Sequence, residues 1–504
     1  MPGKFYIATS IAYTNARPHI GYAMEVIQED VLARYHRLLG DDTFSLTGTD
    51  EHGMKIMQTA EEQGKTPQAF VDEISSHFRD LAKLLNLSND GFIRTTDAAH
   101  VEGVTKIWLK LVESGDIYKN SYEGLYCIGC EAFILEKDLV DGKCPNHNRV
   151  PEKLKEENYF FKLSKYSDVI KQKIISDELK ILPEARKNEI LTVFEEGLKD
   201  VSFSRPKKVL QWGIEVPNDP DQVMYVWCDA LSNYMTGIGY ESNMEQFGKF
   251  WPIDVQLIGK DILRFHAAIW QGMLLSMGLP MSRAIYVHGF ITSEGKKMSK
   301  SLNNVVDPFE IVEQSGADAL RYYLLKEIPT TTDGDFSKAR FQVVYDSELA
   351  DTIGNLVSRV VAMTHKYFEG KVPENAAANE IFNSLTTDLW RNYDQSIADF
   401  DLKKSLEEVI NYAMEANKYV DTQKPWALAK SDQQKLAEVI YVLLEMIRHI
   451  GLALLPFIPA AAKKILGYLE SMPQGNYLQQ RGWGSLKPGT LLQKAEPLFP
   501  KKVA

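Results

Sequence analysis

Ten residues between Gly295 and Asn304, GKKMSKSLNN, concentrate positive charge in a chain that is otherwise acidic. Clusters of Lys, Ser and Gly usually form solvated turns, so an exposed charged loop is the simplest interpretation. The alternative is a phosphate site, because cations placed on developing charge catalyse phosphoryl and nucleotidyl transfer. Lys297 and Lys300 are then the candidate catalytic residues. They would hold a leaving pyrophosphate in a loop that opens and closes.

A second candidate phosphate site is RPHIGYA, residues 17–23. Here His19 and Gly21 stand where the β-rich run KFYIATSIAY gives way to residues with helical spacing. The N-terminus of a helix offers free N–H groups and a partial positive charge that suit a phosphate. Glycine allows a nucleotide to approach the backbone closely, and histidine adds a hydrogen-bond donor. A lone histidine at this position can equally be a simple helix cap.

A third pattern has the composition of a metal site. Cys127-x-x-Cys130 is followed, after thirteen residues, by Cys144-x-x-His147. Two tight pairs of three thiolates and one imidazole are a standard ligand set for tetrahedral structural zinc. The remaining cysteine, Cys228, lies in the strand-like stretch VWCDA, where we expect a small buried hydrophobic residue.

Composition limits the class of protein. The chain has 504 residues, of which 44% are hydrophobic and 25% charged, as in ordinary globular proteins of several domains. Its formal net charge is −11, so a nucleic-acid partner would have to be met by a local basic patch. Four cysteines in this length favour a reducing compartment.

The chain carries no apolar signal core and no Arg-rich presequence at its N-terminus. Its most apolar tract, VIYVLLEMIRHIGLALLPFIP, contains Glu445, Arg448 and His449 and is predicted to be a buried helix and not a membrane span. We therefore expect a soluble, cytoplasmic protein with no membrane partner.

The order of patterns predicts an α/β fold followed by a helical region. Strand, loop, helix and strand at the start are typical of a doubly wound parallel sheet. Cysteines, aromatics and lysines without long periodicity indicate an insertion, and the α/β pattern then resumes up to the lysine loop. Beyond Asp346, an apolar stripe at helical spacing predicts a helix bundle, and its members are Leu349, Ile353, Leu356, Val360 and Met363.

HIGY after the first strand and KMSKS after the last resemble the paired signatures of class I aminoacyl-tRNA synthetases. The segments SIAYTNARPHIGY, GTDEHG, MYVWCDALSNY, IGKDILRFH and VHGFITSEGKKMSKS occur in the order typical of the methionyl-tRNA synthetase family, over nearly the whole chain. The resemblance is to the short form with a single zinc knuckle. Two positions depart from the family pattern: Tyr22 replaces the second histidine of the first signature, and Leu231 stands where several relatives carry proline.

The resemblance implies roles for individual residues. His19, Gly21, Tyr22, Gly259, Asp261 and Lys300 would bind ATP. The methionine pocket would contain Ile11, Tyr13, Asp50, Trp227, Tyr234, Ile262, Phe265 and His266, with Asp50 holding the ammonium group. Aromatic walls suit a polarizable thioether, and a carboxylate suits a desolvated ammonium. Taken alone, Trp227 and Tyr234 could be ordinary core aromatics, and GKD a polar turn.

The helical half contains the candidate anticodon residues. Asn355 and Arg359 are four residues apart and share one flank of a helix, while Trp426 follows Pro425 at an expected helix start. An amide, a guanidinium and an aromatic ring suit splayed RNA bases. The family uses matching positions for its anticodon, although a surface arginine and a packed tryptophan would explain the same residues.

The resemblance implies a split Rossmann-type catalytic domain with a zinc-bearing insertion and an all-α C-terminal bundle. We expect the following division of the chain: 1–115 and 207–290 for the two catalytic halves, 116–206 for the insertion, 291–345 for the KMSKS loop and stem-contact region, and 346–504 for the anticodon-binding bundle.

The implied activity is ATP-dependent ligation of L-methionine to tRNA(Met) through methionyl-adenylate, assisted by Mg²⁺ and one structural Zn²⁺. A monomer is expected, because the sequence ends at LFPKKVA without the extra module of some relatives. Two alternatives remain from the residues: a small-molecule nucleotidyltransferase, and a synthetase-like RNA-binding protein that has lost catalysis through Tyr22.

Overall fold

The structure is a computed structural model that describes residues 3–128, 132–134, 136–146, 148–298, 304–374 and 380–501. The described strands are β1 Lys4–Thr9, β2 Ala12–Tyr13, β3 Asp42–Asp50, β4 Gly91–Arg94, β5 Ile117–Cys127, β6 Ala132–Ile134, β7 Glu152–Phe161, β8 Lys180–Leu182, β9 Val201–Ser202, β10 Ser204–Pro206, β11 Glu215–Val216, β12 Asp219–Met224, β13 Val255–Gly259, β14 Ala284–His288, β15 Ile291–Ser293, β16 Lys296–Lys297 and β17 Gly334–Phe336.

The described α-helices are α1 Ile20–Leu39, α2 Met54–Glu62, α3 Pro67–Leu84, α4 Ala98–Glu113, α5 Ser167–Ile175, α6 Glu184–Glu195, α7 Val226–Leu231, α8 Asn233–Thr236, α9 Met244–Phe250, α10 Gln271–Ser276, α11 Pro308–Ser315, α12 Ala317–Lys326, α13 Lys338–Val344, α14 Asn355–Phe368, α15 Glu380–Ala398, α16 Leu402–Gln423, α17 Pro425–Ser431, α18 Gln433–Leu454, α19 Pro459–Tyr468 and α20 Tyr477–Gln480. Two π-helical segments, Phe265–Trp270 and Tyr345–Gly354, precede α10 and α14.

A parallel sheet forms the centre of the N-terminal half. Its strand order is β2-β3-β1-β13-β14-β8, with β4 also paired to β3. Side chains of β1 alternate between two apolar clusters: Phe5 and Ile7 belong to one, Tyr6 and Ala8 to the other. Both faces of the sheet are therefore covered, as expected of a doubly wound fold. The α/β prediction is confirmed.

The range 116–206 joins this sheet at one point. Strands β6, β5, β7 and β9 form a separate antiparallel sheet, whereas β8 pairs with β14 of the central sheet, with Ile181 opposite Ile285. The segment expected to be an insertion thus supplies an edge strand of the central sheet. Three residues, Lys-Ile-Leu, of which only two are apolar, are too short a signal for a sequence to predict such a strand.

The helical region after residue 346 also agrees with its pattern. Leu349, Ile353, Leu356 and Val360 are buried and Met363 is half-buried. The most apolar tract forms α18, in which Glu445 and Arg448 are buried as an ion pair of 2.8 Å. Among the described residues, no helix combines the length and apolar character needed to cross a membrane.

Helix α1 is positioned by signals at both ends. His19 is its N-cap, with its side chain accepting from the Gly21 N–H. At the other end Gly40 adopts φ +93° and donates its N–H to the carbonyls of Arg37 and His36. A left-handed residue at this place terminates helices at little cost only when it is glycine. The helix therefore starts at the sheet edge and stops immediately before β3.

One expected strand is a helix. VWCDA, predicted to be strand-like, lies in α7, which begins at Val226 directly after Tyr225. Periodicity cannot separate a strand from a short buried helix over so few residues. Cys228 is nevertheless fully buried, as expected, and burial raises the pKa of its thiol.

Candidate active site

The candidate residues meet at the carboxyl edge of the central sheet. Strand β1 leads to Ile11, β3 ends at Asp50, β13 ends at Gly259 and β14 ends at His288. These strands are parallel, so all four ends point to the same edge. Ligands of doubly wound sheets bind at this edge, where the loops diverge.

His19 presents a defined donor at the start of α1. Its Nδ1 accepts from the Gly21 N–H at 3.0 Å. A neutral imidazole that accepts at Nδ1 carries its proton on Nε2 and can donate from there. Surrounding protein atoms lower the pKa of His19, although the residue keeps a solvent-exposed face. The neutral donor form is therefore favoured at neutral pH.

Tyr22 points into the protein core. Its hydroxyl lies 3.2 Å from Thr47 Oγ1 on β3, and its ring meets the edge of Phe78 at a centroid distance of 4.8 Å. Only 8% of the residue is exposed. Its main contacts thus join α1 to β3 and α3, and the ATP contact expected of it stays a prediction.

A flat aromatic wall is formed by Trp227 and Phe265. Their rings are stacked at 3.9 Å with an interplanar angle of 5°. Both are half-buried and pack against the apolar cluster on one face of the sheet, as do Ile11 and Ile262. Four of the residues predicted for the methionine pocket therefore border one apolar region.

His266 is a buried, neutral imidazole whose two nitrogens both have hydrogen-bond partners. Its Nδ1 lies 3.0 Å from the Ile262 carbonyl, which can only accept, so Nδ1 carries the proton. Nε2 then accepts from the Tyr234 hydroxyl at 2.8 Å. Burial lowers the pKa of His266 to about 4. The imidazole closes the pocket without introducing a charge.

Asp50 and Tyr13 are brought together by backbone pairing. Strand β2 runs beside the end of β3 with Tyr13 opposite Asp50. Both the N–H and the hydroxyl of Thr14 donate to the Asp50 carbonyl at 3.0 Å. This arrangement fixes a buried carboxylate at the sheet edge.

The GKD segment turns at the end of β13. A Cβ on Gly259 would lie 2.9 Å from Asp261 Oδ1, so a side chain here would obstruct the carboxylate. Crowding by protein atoms raises the pKa of Asp261, although the residue keeps solvent contact. Lys260 points elsewhere, because its ammonium binds both carboxylate oxygens of Asp333 at 2.7 and 2.8 Å.

The lysine loop leaves a small sheet attached to this edge. Strand β16 pairs with β15 so that Lys297 lies opposite Thr292, and β17 pairs with β15 on its other side. The Lys260–Asp333 ion pair links the residue before β17 to the end of β13. The Lys297 side chain and Lys300 lie outside the described residues, so their predicted contacts stay predictions.

Two polar residues at the edge were not predicted. Glu25 Oε1 accepts from the N–H and hydroxyl of Ser10 at 2.9 and 2.5 Å, and Oε2 lies 3.3 Å from His288 Nε2. Burial lowers the pKa of His288, but Glu25 and the Gly289 carbonyl outweigh it and raise the pKa overall. A histidine at a strand's carboxyl end was an available signal, whereas Glu25 was hidden among apolar neighbours.

A buried cluster behind the pocket was also missed. Asp229 binds His52 Nδ1 at 2.6 Å and His100 Nε2 at 2.7 Å, and His100 reaches Thr236 with its other nitrogen. Burial opposes ionisation of Asp229, but the two imidazoles lower its pKa overall. The cluster ties the loop after Asp50 to α7. Its members are 177 and 129 residues apart along the chain, and no sequence pattern indicates such pairing.

Half of the predicted zinc set lies within the described residues. Cys127 ends β5 opposite Ala132, and Cys144 opens a turn in which Asn148 donates to its carbonyl at 2.8 Å. Both side chains are buried. Cys130 and His147 lie outside the described residues. Among the described residues, no three His, Cys, Asp or Glu side chains are arranged to hold a metal ion, so the four-ligand zinc set stays a prediction.

The candidate anticodon residues lie on two helices of the helical region, Asn355 and Arg359 on α14 and Trp426 on α17. Asn355 opens α14 and is exposed, and Arg359 lies one turn later, 3.4 Å from Asp421 on α16. Helix α17 begins at Pro425, as predicted, and 44% of Trp426 is exposed. An exposed tryptophan does not fit the alternative of a packed core residue.

Comparisons with known proteins cover nearly the whole chain. A family model described as "tRNA synthetases class I (M)" matches residues 5–151 and 147–361. A second, described as "Anticodon binding domain of methionyl tRNA ligase", matches residues 371–503. The second match leaves the small-molecule nucleotidyltransferase without support, since that class does not require such a domain.

Curated relatives have the same character. Methionine–tRNA ligase of Caldanaerobacter subterraneus subsp. tengcongensis is 44% identical, over 99% of this chain and 79% of its own length. The ligase of Brucella melitensis biotype 1 is 40% identical, over 99% of this chain and 98% of its own.

Solved structures agree. The methionyl-tRNA synthetase of Mycobacterium tuberculosis in complex with methionyl-adenylate superposes with a TM-score of 0.95 at 38% identity, over 99% of this chain and 100% of that one. Its free form gives 0.88 at 35% identity, over 100% and 99%. These similarities extend across both the sheet that carries the candidate residues and the helix bundle. The chain therefore belongs to the methionyl-tRNA synthetase family of class I aminoacyl-tRNA synthetases.

Proposed function

We propose that the residues at the sheet edge catalyse the methionine–tRNA ligase reaction of this family in two steps. The observation that carries the proposal is the neutral aromatic pocket of Trp227, Phe265 and His266, on the same edge as the N-terminus of α1. An apolar pocket beside a phosphate-binding helix end suits an amino acid with a thioether side chain that must be joined to a nucleotide.

In the first step the methionine carboxylate attacks the α-phosphorus of ATP. A bond forms between the carboxylate oxygen and that phosphorus, and the bond to the bridging oxygen of pyrophosphate breaks with its electron pair. His19 Nε2–H would donate to the phosphate as negative charge develops. Lys297 and Lys300 would hold the departing pyrophosphate. Mg²⁺ bound with ATP would neutralise further charge on the phosphates.

The substrates would be held by charge and shape. Asp50 would accept the methionine ammonium, beside Tyr13 on the neighbouring strand. Ile11, Ile262 and the Trp227–Phe265 wall would surround the thioether, while Tyr234 keeps His266 oriented and neutral. On the nucleotide side, Gly21 and Gly259 would let ATP approach the backbone, since a Cβ at either position would crowd His19 or Asp261. Asp261 would accept from a ribose hydroxyl.

In the second step the 2′-hydroxyl of the terminal adenosine of tRNA attacks the adenylate carbonyl. An ester bond forms to methionine, and AMP leaves with the electron pair of the broken mixed anhydride. Asn355, Arg359 and Trp426 would bind the anticodon. The exposure of Asn355 and Trp426 and the partial exposure of Arg359 support this role, because splayed bases are read by edge hydrogen bonds and stacking.

We also propose one structural zinc ion held by Cys127, Cys130, Cys144 and His147. The donor chemistry fits: both described thiols are buried, and each lies at the end or start of a tight backbone element. Bound zinc would fasten the end of β5 to the segment around Cys144. Metal analysis of the purified chain should give one zinc per molecule, and Cys127→Ser should lower that content and the thermal midpoint. Cys228→Ser, at a buried cysteine outside the predicted set, is the control for zinc content and should leave it at one.

A monomeric, cytoplasmic enzyme is proposed on two grounds. All the proposed substrate and anticodon residues come from one chain, and buried thiols at Cys127, Cys144 and Cys228 suit a reducing compartment. Sedimentation equilibrium should give the mass of one chain without tRNA, and the mass of one chain plus one tRNA when tRNA is added. A dimer mass at micromolar concentration would overturn the monomer.

Pyrophosphate–ATP exchange with each amino acid in turn, without tRNA, tests the activation step. We expect exchange with methionine and a weaker but measurable exchange with homocysteine. The loss of one methyl-sized group lowers kcat/KM by only about 10- to 200-fold. Exchange with a different amino acid would overturn the pocket assignment. No exchange by folded, zinc-replete protein would revive the catalytically impaired alternative, and recovery in Tyr22→His would then locate the defect.

A further inference from the structure

Helix α1 reaches from the candidate active site to the helix bundle. Its 20 residues span about 30 Å. His19 and Gly21 lie at its N-terminal end, at the sheet edge. The second half of the helix carries Asp30, Arg34 and Tyr35, and two of these side chains join contacts with the bundle that the proposed chemistry does not use.

The first contact is centred on Arg321, which is fully buried on α12. Its Nη2 lies 2.7 Å from Asp30 Oδ2 on α1. The same guanidinium donates to the carbonyls of Pro456 and Phe457, at 3.0 and 2.7 Å, immediately before α19 of the bundle. A further bond of 3.3 Å reaches the Leu85 carbonyl after α3. One side chain therefore fastens three separate parts of the chain.

Neighbouring groups complete this contact. Arg34 Nε and the Ser88 N–H and hydroxyl also bind Asp30, at 2.6 to 2.7 Å. Asp318, one turn before Arg321, accepts from the Ala461 N–H of α19 at 2.5 Å. Planar guanidinium groups hold several acceptors in fixed geometry, which a lysine cannot reproduce. The contact therefore fixes orientation as well as distance.

A second contact lies further along α1. The Tyr35 hydroxyl donates to Asp394 Oδ1 on α15 at 2.9 Å. Asp394 is also bound by Arg481 at 2.8 Å to each oxygen, and that guanidinium lies 4.0 Å over the Trp390 ring and 4.5 Å over the Tyr477 ring. Two attachment points on one helix restrict its rotation against the bundle more than one could.

We propose that Arg321 and Asp394 are positioning residues for tRNA charging, a proposal that rests on the proposed anticodon site. They fix α1 against the bundle, so that a tRNA bound by its anticodon finds His19 and the adenylate at a constant distance. The Asp30–Arg321 and Tyr35–Asp394 contacts matter for the second step, in which both ends of the tRNA must be engaged. They matter little for adenylation, which needs only the sheet edge.

The lever arm of α1 explains the expected size of the effect. A tilt of about 5° displaces the far end of a helix of about 30 Å by roughly 2.6 Å. Misplacement by about 1 Å can cost as much as a hundredfold in rate. Small slack between α1 and the bundle would therefore shift a tRNA anchored at its anticodon relative to the sheet edge, whereas His19, at the sheet edge, keeps its place for adenylation.

Tyr35→Phe and Asp394→Asn in the full-length enzyme test this inference. Both substitutions are conservative. Tyr35→Phe removes the hydrogen bond from α1 to Asp394, and Asp394→Asn removes the charge through which Arg481 orients that side chain. The control is Tyr412→Phe, which deletes a buried bond of 2.6 Å between α16 and Thr386 on α15, both in the bundle. For each variant we would measure methionine-dependent pyrophosphate exchange, and charging of tRNA(Met) transcripts with the natural and with a substituted anticodon.

We expect Tyr35→Phe and Asp394→Asn to lower kcat/KM for the natural tRNA about tenfold, with pyrophosphate exchange within about twofold of wild type. The ratio of kcat/KM for the natural transcript to kcat/KM for the transcript with a substituted anticodon should fall by the same factor. Tyr412→Phe should change neither this ratio nor pyrophosphate exchange. If Arg321→Lys folds, it should show a larger loss of charging with the same retention of pyrophosphate exchange. If it does not fold, Tyr35→Phe and Asp394→Asn test the inference by themselves.

Three results would overturn the inference. Unchanged charging in both conservative variants would show that the contacts transmit nothing. Reduced charging with an unchanged ratio of kcat/KM between the two transcripts would show that anticodon binding does not act through the contacts of α1 with the bundle. An equal loss of pyrophosphate exchange would make them supports of the catalytic fold. Failure of the proposed function is distinct, since wild type itself would then lack exchange or charge both transcripts equally.

Discussion

The imidazole of His266 shows how a single residue can be polar and yet suit an apolar ligand. Its two nitrogens are occupied by the Ile262 carbonyl and the Tyr234 hydroxyl, and burial lowers its pKa to about 4. The ring therefore stays uncharged throughout the physiological range. A charged imidazolium beside the Trp227–Phe265 wall would attract water and weaken binding of a thioether.

The depressed pKa of His266 predicts a pH-dependent stability. In the unfolded chain its pKa is near 6.5, so below that pH the unfolded state takes up a proton that the folded state refuses. The free energy of unfolding should fall by about 2–3 kcal/mol between pH 6.5 and 4.5 from this residue alone. Urea unfolding of wild type and His266→Gln at both pH values measures it.

In His266→Gln, the free energy of unfolding should lose that part of its pH dependence. In wild type, the KM for methionine should stay constant from pH 6.5 to 8. An identical pH slope in the variant, or a methionine KM that changes with a midpoint near 6.5, would contradict the neutral assignment.

Tyr22 calls for a different expectation from the histidine it replaces. Its hydroxyl contacts Thr47 and its ring contacts Phe78, so its contribution is to packing. Tyr22→Phe should lower the free energy of unfolding by about 1 kcal/mol and leave pyrophosphate exchange within about twofold. Denaturant titration and exchange kinetics measure the two. A tenfold or greater fall in kcat with little change in stability would instead make the hydroxyl part of the catalytic step.

At the scale of elements, the N-terminus of α1 combines the close approach of backbone with a positioned side chain. The His19 ring lies against Gly21, where an added Cβ would meet its Cε1 at 2.8 Å and its Nδ1 at 3.0 Å. Because a ring can swing away more easily than backbone, a side chain at Gly21 would displace His19 without unfolding the helix.

Gly21→Ala should therefore separate stability from activity. Alanine favours the helix over glycine by about 1 kcal/mol, and this gain should offset the loss of the His19 N-cap bond. The thermal midpoint should therefore change little. Pyrophosphate exchange should fall about 10- to 100-fold, since a displaced donor no longer meets the developing charge. Gly248→Ala in α9, where an added Cβ meets no atom within 4 Å, is the matched control. Full activity in Gly21→Ala would show that His19 does not act from its N-cap position.

At the scale of the whole molecule, an acidic chain must attract an anionic partner locally. The net charge is −11, and on the helical region the exposed Trp426 offers a stacking surface while the partly exposed Arg359 offers positive charge. The sheet edge and the helix bundle share one apolar cluster, which includes Ile27 of α1 and Ile447 of α18. The two proposed substrate-binding regions thus rest on one continuous core.

Arg359→Ala should raise the KM for tRNA about 5- to 100-fold, which corresponds to the loss of one base contact. Stability should change by less than about 0.5 kcal/mol, because the ion pair with Asp421 is exposed and weak. Aminoacylation kinetics measure the first quantity and thermal unfolding the second. Arg391→Ala, which removes a similar exposed pair with Asp388 on α15, is the control. Equal effects of the two variants would place the anticodon surface elsewhere.

Local chemistry explains what could be predicted from the sequence. The strand–helix–strand order, the burial of the Leu349 stripe and the helix start at Pro425 depend on periodicity and on residues with strong local preferences. The signatures around His19 and Lys300 combine residue types that few other structures require in that order. The family and its reaction followed from these features, and the comparisons confirm both.

Only the tertiary structure decided the remaining features, because they depend on contacts between distant parts of the chain. The helical state of VWCDA, the joining of β8 to the central sheet and the orientation of Tyr22 depend on neighbours that a short window does not contain. The Asp229–His52–His100 cluster, the Glu25–His288 pair and the buried Arg321 are stable only because folding supplies each charge with a partner from another element. The sequence by itself determined most of the local elements and the family's reaction, because these depend on local preferences and residue types, whereas packing decided which buried charges meet and how α1 is fixed to the bundle.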